Sequence, residues 1–360
     1  MATPTLVARG RGATSNVSGR FETLRHSAFD DGWNDDDAAP TPLRTTVTAE
    51  KVRTIITRNS SPDVGFDRSI NPYRGCEHGC VYCYARPAHA YMGLSPGLDF
   101  ESRLFFKSDA ARRLTTELSK PSYRVGVIHV GGNTDPYQPQ EREFRVTRQV
   151  LEVLERFRHP FTVITKSASI IRDLDILSVM GRARLTRVAV SVTTLDRRLA
   201  RDMEPRAATP ERRLDAVRRL ADAGVPTHVM GAPIIPGLND HEIEAILQRS
   251  AEAGAQTVGY VVLRLPREIK DLFQDWLTAN RPDRAARVMS LVRQMRGGLD
   301  YDPQWGKRMK GEGPIADVIA QRFQIARRRF GLERLMAPLD TKQFRVPPRP
   351  GDQGDLFGGR

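Results

Sequence analysis

All three cysteines of this 360-residue chain fall within eight positions: Cys76, Cys80 and Cys83, in NPYRGCEHGCVYCYARP, residues 71–87. The spacing is C-x3-C-x2-C. Three thiols in one short segment cannot build a disulfide framework, so the segment reads as a metal-binding or catalytic site. Thiolates are soft ligands that suit iron–sulfur clusters or zinc. A cubane [4Fe–4S] cluster has four irons; three cysteines bind three of them and leave one open to a non-protein ligand. An open coordination position marks reactivity, by the same logic that separates catalytic from structural zinc sites. The residues leave one alternative open, zinc with His78 or His89 as fourth ligand, in a nucleic-acid-binding protein without catalysis.

The elements that must position this segment follow from hydropathy. Apolar, β-branched runs occur at 125–132, 161–167, 186–194, 226–233 and 257–265, with shorter candidates in VRTIIT and FDRSINPYRG ahead of the cysteines. Helical patterns lie between them. Thr209 with Pro210 opens one helix and Gly224 closes it; Asn239 with Glu242 reads as a capping box, and Gly254 as a stop. The capping role of Glu242 and the missing second histidine argue against a zinc-protease reading of HEIEA, residues 241–245. Strands alternating with helices imply a parallel sheet. About six such units predict an α/β fold, a partial (β/α)6 TIM-like barrel, over residues 51–265. Residues 1–50, rich in Gly, Ser, Thr and Asp, are expected to be a disordered N-terminal tail. Residues 266–340 are expected to be a basic helical extension, and 341–360 a mobile Pro/Gly-rich tail.

The cysteine spacing just ahead of a βα series resembles the radical S-adenosylmethionine (SAM) superfamily. That resemblance implies a [4Fe–4S] cluster whose open iron chelates SAM. It also implies reductive cleavage of SAM to methionine and a 5′-deoxyadenosyl radical, and an electron donor such as flavodoxin or ferredoxin. It places Tyr82 near the SAM adenine, matches Gly131, Gly132 and Asn133 to the stretch that holds the SAM amino group, and puts the segment beginning at Gly231 on the adenine side. Ligands of parallel βα folds bind at the carboxyl ends of the strands. Ser191 and Thr193 stand there as candidates for ribose hydroxyls, and Arg206 as a cation for the SAM carboxylate. The combination of GCVYCYAR, NTDPYQP and TKSASIIRDLDIL looks most like the spore-photoproduct-lyase-related branch, often labelled DNA repair photolyase. That lyase returns a hydrogen atom through a cysteine thiol. Here the only thiols are the three cluster candidates, leaving Tyr84, Tyr91 and Tyr137 as possible donors.

Composition bounds the substrate and the compartment. The net charge is +13, and residues 281–350 hold 16 Lys/Arg against 7 Asp/Glu. A basic stretch of this kind suits nucleic acid, while a solvated helix face would leave a protein or small molecule as substrate. The longest apolar runs are far shorter than the roughly 20 residues a membrane helix needs. No secretory signal precedes the fold, so a cytoplasmic protein is expected. Near the C-terminus, Gln353, Leu356 and Phe357 make a Q-x-x-L-F pattern that resembles the peptide inserted into bacterial sliding clamps.

Overall fold

The computed structural model describes residues 10–22 and 43–348. Its strands are β1 (Thr46–Glu50), β2 (Ile56–Arg58), β3 (Arg68–Ile70), β4 (Tyr73–Arg74), β5 (Arg103–Lys107), β6 (Ile128–Val130), β7 (Phe161–Thr165), β8 (Thr186–Ser191), β9 (Thr227–Ile234) and β10 (Thr257–Val262). Seven of them form one sheet in the order β10-β9-β8-β7-β6-β3-β2. All neighbours in it are parallel except the β2–β3 pair. The six parallel strands are those expected of a partial barrel. Side chains alternate across each strand. Val130, Val163, Val188 and Val190 face the helices and are fully buried with Leu154, Leu177, Val217 and Leu220. His129, Thr162 and His228 take the other face; His129 Nδ1 lies 2.8 Å from Thr162 Oγ1, and His228 Nδ1 2.6 Å from Thr257 Oγ1.

Helix ends follow backbone chemistry. The Thr209 side chain caps Pro210–Asp222, and Gly224 and Gly254 adopt φ of +79° and +87° just beyond their helices. The Asn239–Glu242 capping box does not form. Asn239 instead donates to the carbonyls of Thr193 and Pro233, and Glu242 accepts from Thr194 Oγ1 and the Leu195 amide. Both side chains find partners across the fold, on the segment that follows β8, rather than along their own helix.

Two boundaries expected from composition are corrected. The N-terminal fifty residues are not all tail. Residues 10–22 pack on the cysteine segment, and β1 pairs in parallel with β5 in a second sheet of order β1-β5-β4. Composition hid this because the packing uses backbone groups and glycines rather than an apolar stripe. Residues 341–348 likewise belong to the fold. Gln343 donates to the Ala183 carbonyl at 2.8 Å, Arg345 N–H donates to the Phe157 carbonyl at 3.0 Å, and Phe344 packs on Tyr123 and His159.

Beyond β10 come helices Ile269–Asn280, Pro282–Gln294 and Pro314–Arg329. The first two bury Phe273, Trp276, Val288 and Val292 in one cluster with Cys80, Val81 and Tyr82. The extension is therefore part of the cysteine segment's own core. The loop between the last two helices crosses the open side of the barrel. Val262, at the end of β10, donates to the Met309 carbonyl at 2.9 Å; Gly306 N–H donates to Asp63 Oδ1 at 2.7 Å, and Arg308 also pairs with Asp63. No helix among the described residues is long and apolar enough to cross a membrane.

Candidate active site: the cysteine loop and the strand ends

The cysteine loop leaves β4 through Gly75 and turns again at Gly79, with φ of +71° and +69°. A side chain at Gly79 would put Cβ 2.6 Å from Glu101 Oε2, so the loop can run here only with glycine. The Cys76 amide donates to the Phe100 carbonyl at 2.9 Å, and Cys83 N–H to the Cys80 carbonyl at 3.2 Å. Arg86 and Glu101, both entirely buried, fix the loop from behind. Arg86 donates to the carbonyls of Cys80 (2.8 Å), Gly79 (3.0 Å), Gly97 (2.9 Å) and Pro96 (3.1 Å), and to Glu101 Oε1 (2.5 Å). From the other side Gln138 accepts from the Glu77 amide at 2.9 Å and donates to the Gly75 carbonyl at 3.2 Å.

Burial pushes all three thiols up, Cys76 and Cys80 furthest. Backbone N–H groups work the other way: that of Asp135 at Cys76, and those of Ala85 and Arg86 at Cys83. Thiols placed like this ionise against a metal rather than against water. They form no disulfide. The donor set therefore fits the three thiolates of a [4Fe–4S] cluster. Among the described residues no three His, Cys, Asp or Glu side chains converge on one metal ion. The fourth ligands of the zinc alternative are committed elsewhere. His78 Nδ1 faces Asp135 Oδ2 at 3.3 Å, and His89 Nε2 faces the Arg103 carbonyl at 3.0 Å.

The strand ends gather beside the loop. After β6, Gly131 takes φ +92°; a Cβ there would stand 2.6 Å from Pro136 Cδ and 2.9 Å from the Ile164 carbonyl oxygen. The Gly132 carbonyl accepts from Tyr84, and the Asn133 amide donates to Asn71 Oδ1 at 2.7 Å. Asp135 anchors this turn. Burial works to raise its pKa, but His78, the Lys166 amide and the Thr165 hydroxyl outweigh burial and hold it at about 2. After β8 a buried network forms that sequence reading passed over. Glu204 accepts from Tyr82 and pairs with Arg213, and Thr193 Oγ1 lies 2.7 Å from it. Arg213 also donates to the Ser191 carbonyl at 3.2 Å. Lys166 Nζ sits 5.8 Å above the Tyr82 ring and 4.0 Å from Glu204.

The structure thus brings Tyr82, Ser191, Thr193 and the Gly131–Asn133 turn to one end of the barrel with the cysteines. Gly231 lies on β9, paired with Tyr260 of β10. Arg206 departs from its expected role: it meets Glu77 Oε1 at 2.5 Å and the Gly10 carbonyl at 3.1 Å. Of the three donor candidates, Tyr137 is buried on Asp173 and Tyr91 packs at a tilt against Phe21 at the surface. Tyr84 is the one of the three whose hydroxyl meets the Gly131–Asn133 turn. Glu204 could have been found from the same EPRAATP stretch that yielded Arg206. Gln353, Leu356 and Phe357 lie outside the described residues.

Residues 70–249 match the radical SAM superfamily. An uncharacterised protein of Mycobacterium tuberculosis is 35% identical over 284 residues, 78% of this chain and 80% of the relative. One of Methanocaldococcus jannaschii is 29% identical over 173 residues, 48% of this chain and 62% of its own. Among solved structures, spore photoproduct lyase complexed with dinucleoside spore photoproduct shares the fold, with TM-score 0.59 and 15% identity over 79% of each chain. A variant of that lyase with bound AdoMet and the dinucleoside gives TM-score 0.54 at 17% identity, over 79% of this chain and 78% of that one. The chain belongs to the radical SAM superfamily. It is a radical SAM enzyme, its cofactors are a [4Fe–4S] cluster and SAM, and it needs a reductant. When bound, the cluster supplies the electron that cleaves SAM. In this chain Cys76, Cys80 and Cys83 are the residues that would hold the cluster, and the polar strand ends beside them are where SAM would be met.

Proposed function

We propose that this enzyme acts on a nucleotide unit of nucleic acid. The observation that carries the reading is Arg264, just beyond β10. Its guanidinium lies 5.5 Å from the centre of the Tyr84 ring, directly after the last cysteine. Among the described residues it makes no ion pair. Its Nη atoms have only long contacts, 3.5 Å each, to Met309 Sδ and Tyr301 Oη, and its Nε is buried without a partner. A cation in that state suits a phosphate oxygen. The basic C-terminal third supports the same reading, as does the exposed Trp305 on the loop that crosses the open side of the barrel, a surface on which a base can stack. The spore photoproduct lyase of similar fold was solved with a dinucleoside. The thiol route for returning hydrogen is closed here, because no fourth cysteine exists.

Binding of a single-stranded oligonucleotide, measured at about 50 and about 200 mM salt, tests the proposal. Affinity should fall steeply with salt. Arg264→Gln should weaken binding about tenfold, or about 1.4 kcal/mol. Salt-independent or undetectable binding returns the substrate to the protein or small-molecule class. The Q-x-x-L-F tail extends the proposal to a sliding-clamp partner. A peptide of residues 347–360 should bind purified clamp, and Leu356→Ala with Phe357→Ala should abolish that binding.

A further inference from the structure

Residues 10–17 lie across the cysteine loop, closer than ordinary side chains permit. A Cβ at Gly12 would stand 1.7 Å from the Gly79 carbonyl oxygen. A Cβ at Gly97 would stand 2.2 Å from the Ser15 carbonyl oxygen. Glu101 is the fastening. Its Oε2 accepts from Gly12 N–H at 2.9 Å, and its Oε1 from Ala13 N–H at 2.8 Å and Arg86 Nη2 at 2.5 Å. Arg86 in turn grips the carbonyls of Gly79 and Cys80. Arg11 closes the near end, donating to the Glu101 carbonyl at 2.7 Å, the Leu43 carbonyl at 2.6 Å and Thr45 Oγ1 at 2.9 Å.

We propose that residues 10–17 are a fixed cover over the protein side of the iron–sulfur cluster, and that Glu101 is the positioning residue coupling this cover to the cysteine loop. A carboxylate with no exposed surface is tolerated only when its oxygens are fully bonded. Two of the three donors at Glu101 come from the backbone of the cover, and the third belongs to the group that sets the Gly79 and Cys80 carbonyls. Lifting the cover therefore leaves a buried charge short of partners and loosens the loop at the middle cysteine. With the cover down, water and dioxygen are kept from that side of the loop. Solvent exposure is among the quantities that set the properties of a cluster.

The test compares full-length wild type with Gly12→Val, Glu101→Gln and the control Gly65→Ala, whose new methyl group meets nothing within 4 Å. All are reconstituted with iron and sulfide without oxygen. Three readouts follow: iron per chain, the rate at which the visible absorbance bleaches in air, and trypsin cleavage after Arg11. Gly12→Val should load iron like wild type, yet bleach about fivefold faster or more, solvent access being what the cover controls. It should also be cut after Arg11. Glu101→Gln keeps an acceptor for Arg86 but turns an N–H donor towards a cover amide. It should bleach faster as well, with a shifted electron paramagnetic resonance signal of the reduced cluster. Gly65→Ala should match wild type in all respects. Equal bleaching of Gly12→Val and wild type overturns the proposal. So does anaerobic iron loading below half of wild type in Gly12→Val, because the segment would then build the site rather than cover it. Should Gly12→Val not fold, Glu101→Gln decides alone, and wild-type bleaching there overturns the proposal. Wild-type iron content reports separately on the cluster itself.

Discussion

A buried carboxylate needs donors from several directions, and Glu204 draws them from three different segments. Tyr82 comes from the cysteine loop, Thr193 from beyond β8 and Arg213 from the helix Pro210–Asp222. The network ties Tyr82, the residue before the last cysteine, to the end of β8. Arg213→Met should strip the buried Glu204 of its close cation, leaving only Lys166 at 4.0 Å, and cost about 3–5 kcal/mol of stability. Urea denaturation of the apo protein measures it. The double variant Arg213→Met with Glu204→Gln should recover part of the loss, because no charge is then stranded. Cys80→Ala should abolish iron binding while leaving the fold intact, read from iron content and far-ultraviolet circular dichroism. Retention of wild-type iron would contradict the ligand assignment.

At the scale of elements, the turn after β6 is tight: Gly131 is hemmed in by Pro136 and the Ile164 carbonyl. Gly131→Ala would drive Cβ against Pro136 and the Ile164 carbonyl, so the turn must move. Iron content should stay at the wild-type level while SAM binds about tenfold more weakly, or about 1.4 kcal/mol. Calorimetric titration with SAM separates the two effects. This turn was legible in the sequence because two glycines at a strand end have few other uses. Five of the six parallel strands were legible for a similar reason: each lies in a long apolar run, and two of the helices between them carry clear stops at Gly224 and Gly254; β3, three residues long, showed only as a shorter candidate. Three features were not. The strand β5, RLFFK, has no alternation to separate it from a helix end. The cover at residues 10–17 bonds through Gly12 and Ala13 amides, which carry no side-chain signature. Glu242 reads as a cap locally, but its partners lie some 47 residues away in sequence, a distance that local patterns do not report.

For the whole molecule, four histidines make stability depend on pH. Burial lowers His89, His129, His159 and His228 to about 4, against about 6.5 for an unfolded histidine. Between those values the unfolded chain binds more protons than the folded one. Their contribution is therefore complete above about pH 6.5 and is lost as the pH falls towards 4. The urea midpoint of the apo protein should be lower at about pH 4.5 than at about pH 7, and His159→Phe should flatten the change. An unchanged midpoint would show that these imidazoles do not titrate with unfolding. The loop that ties Arg308 to Asp63 joins residues 245 positions apart. Such a contact forms late, because the chain between must already be ordered before its loop entropy is repaid. A ribosome releases the chain from its N-terminus. All six parallel strands, the cysteine loop and the 10–17 cover thus exist before the first residue of that loop has been made. The chain's own order therefore makes the bridge between Asp63 and the end of β10 a closing contact, one that no earlier segment can supply in its place.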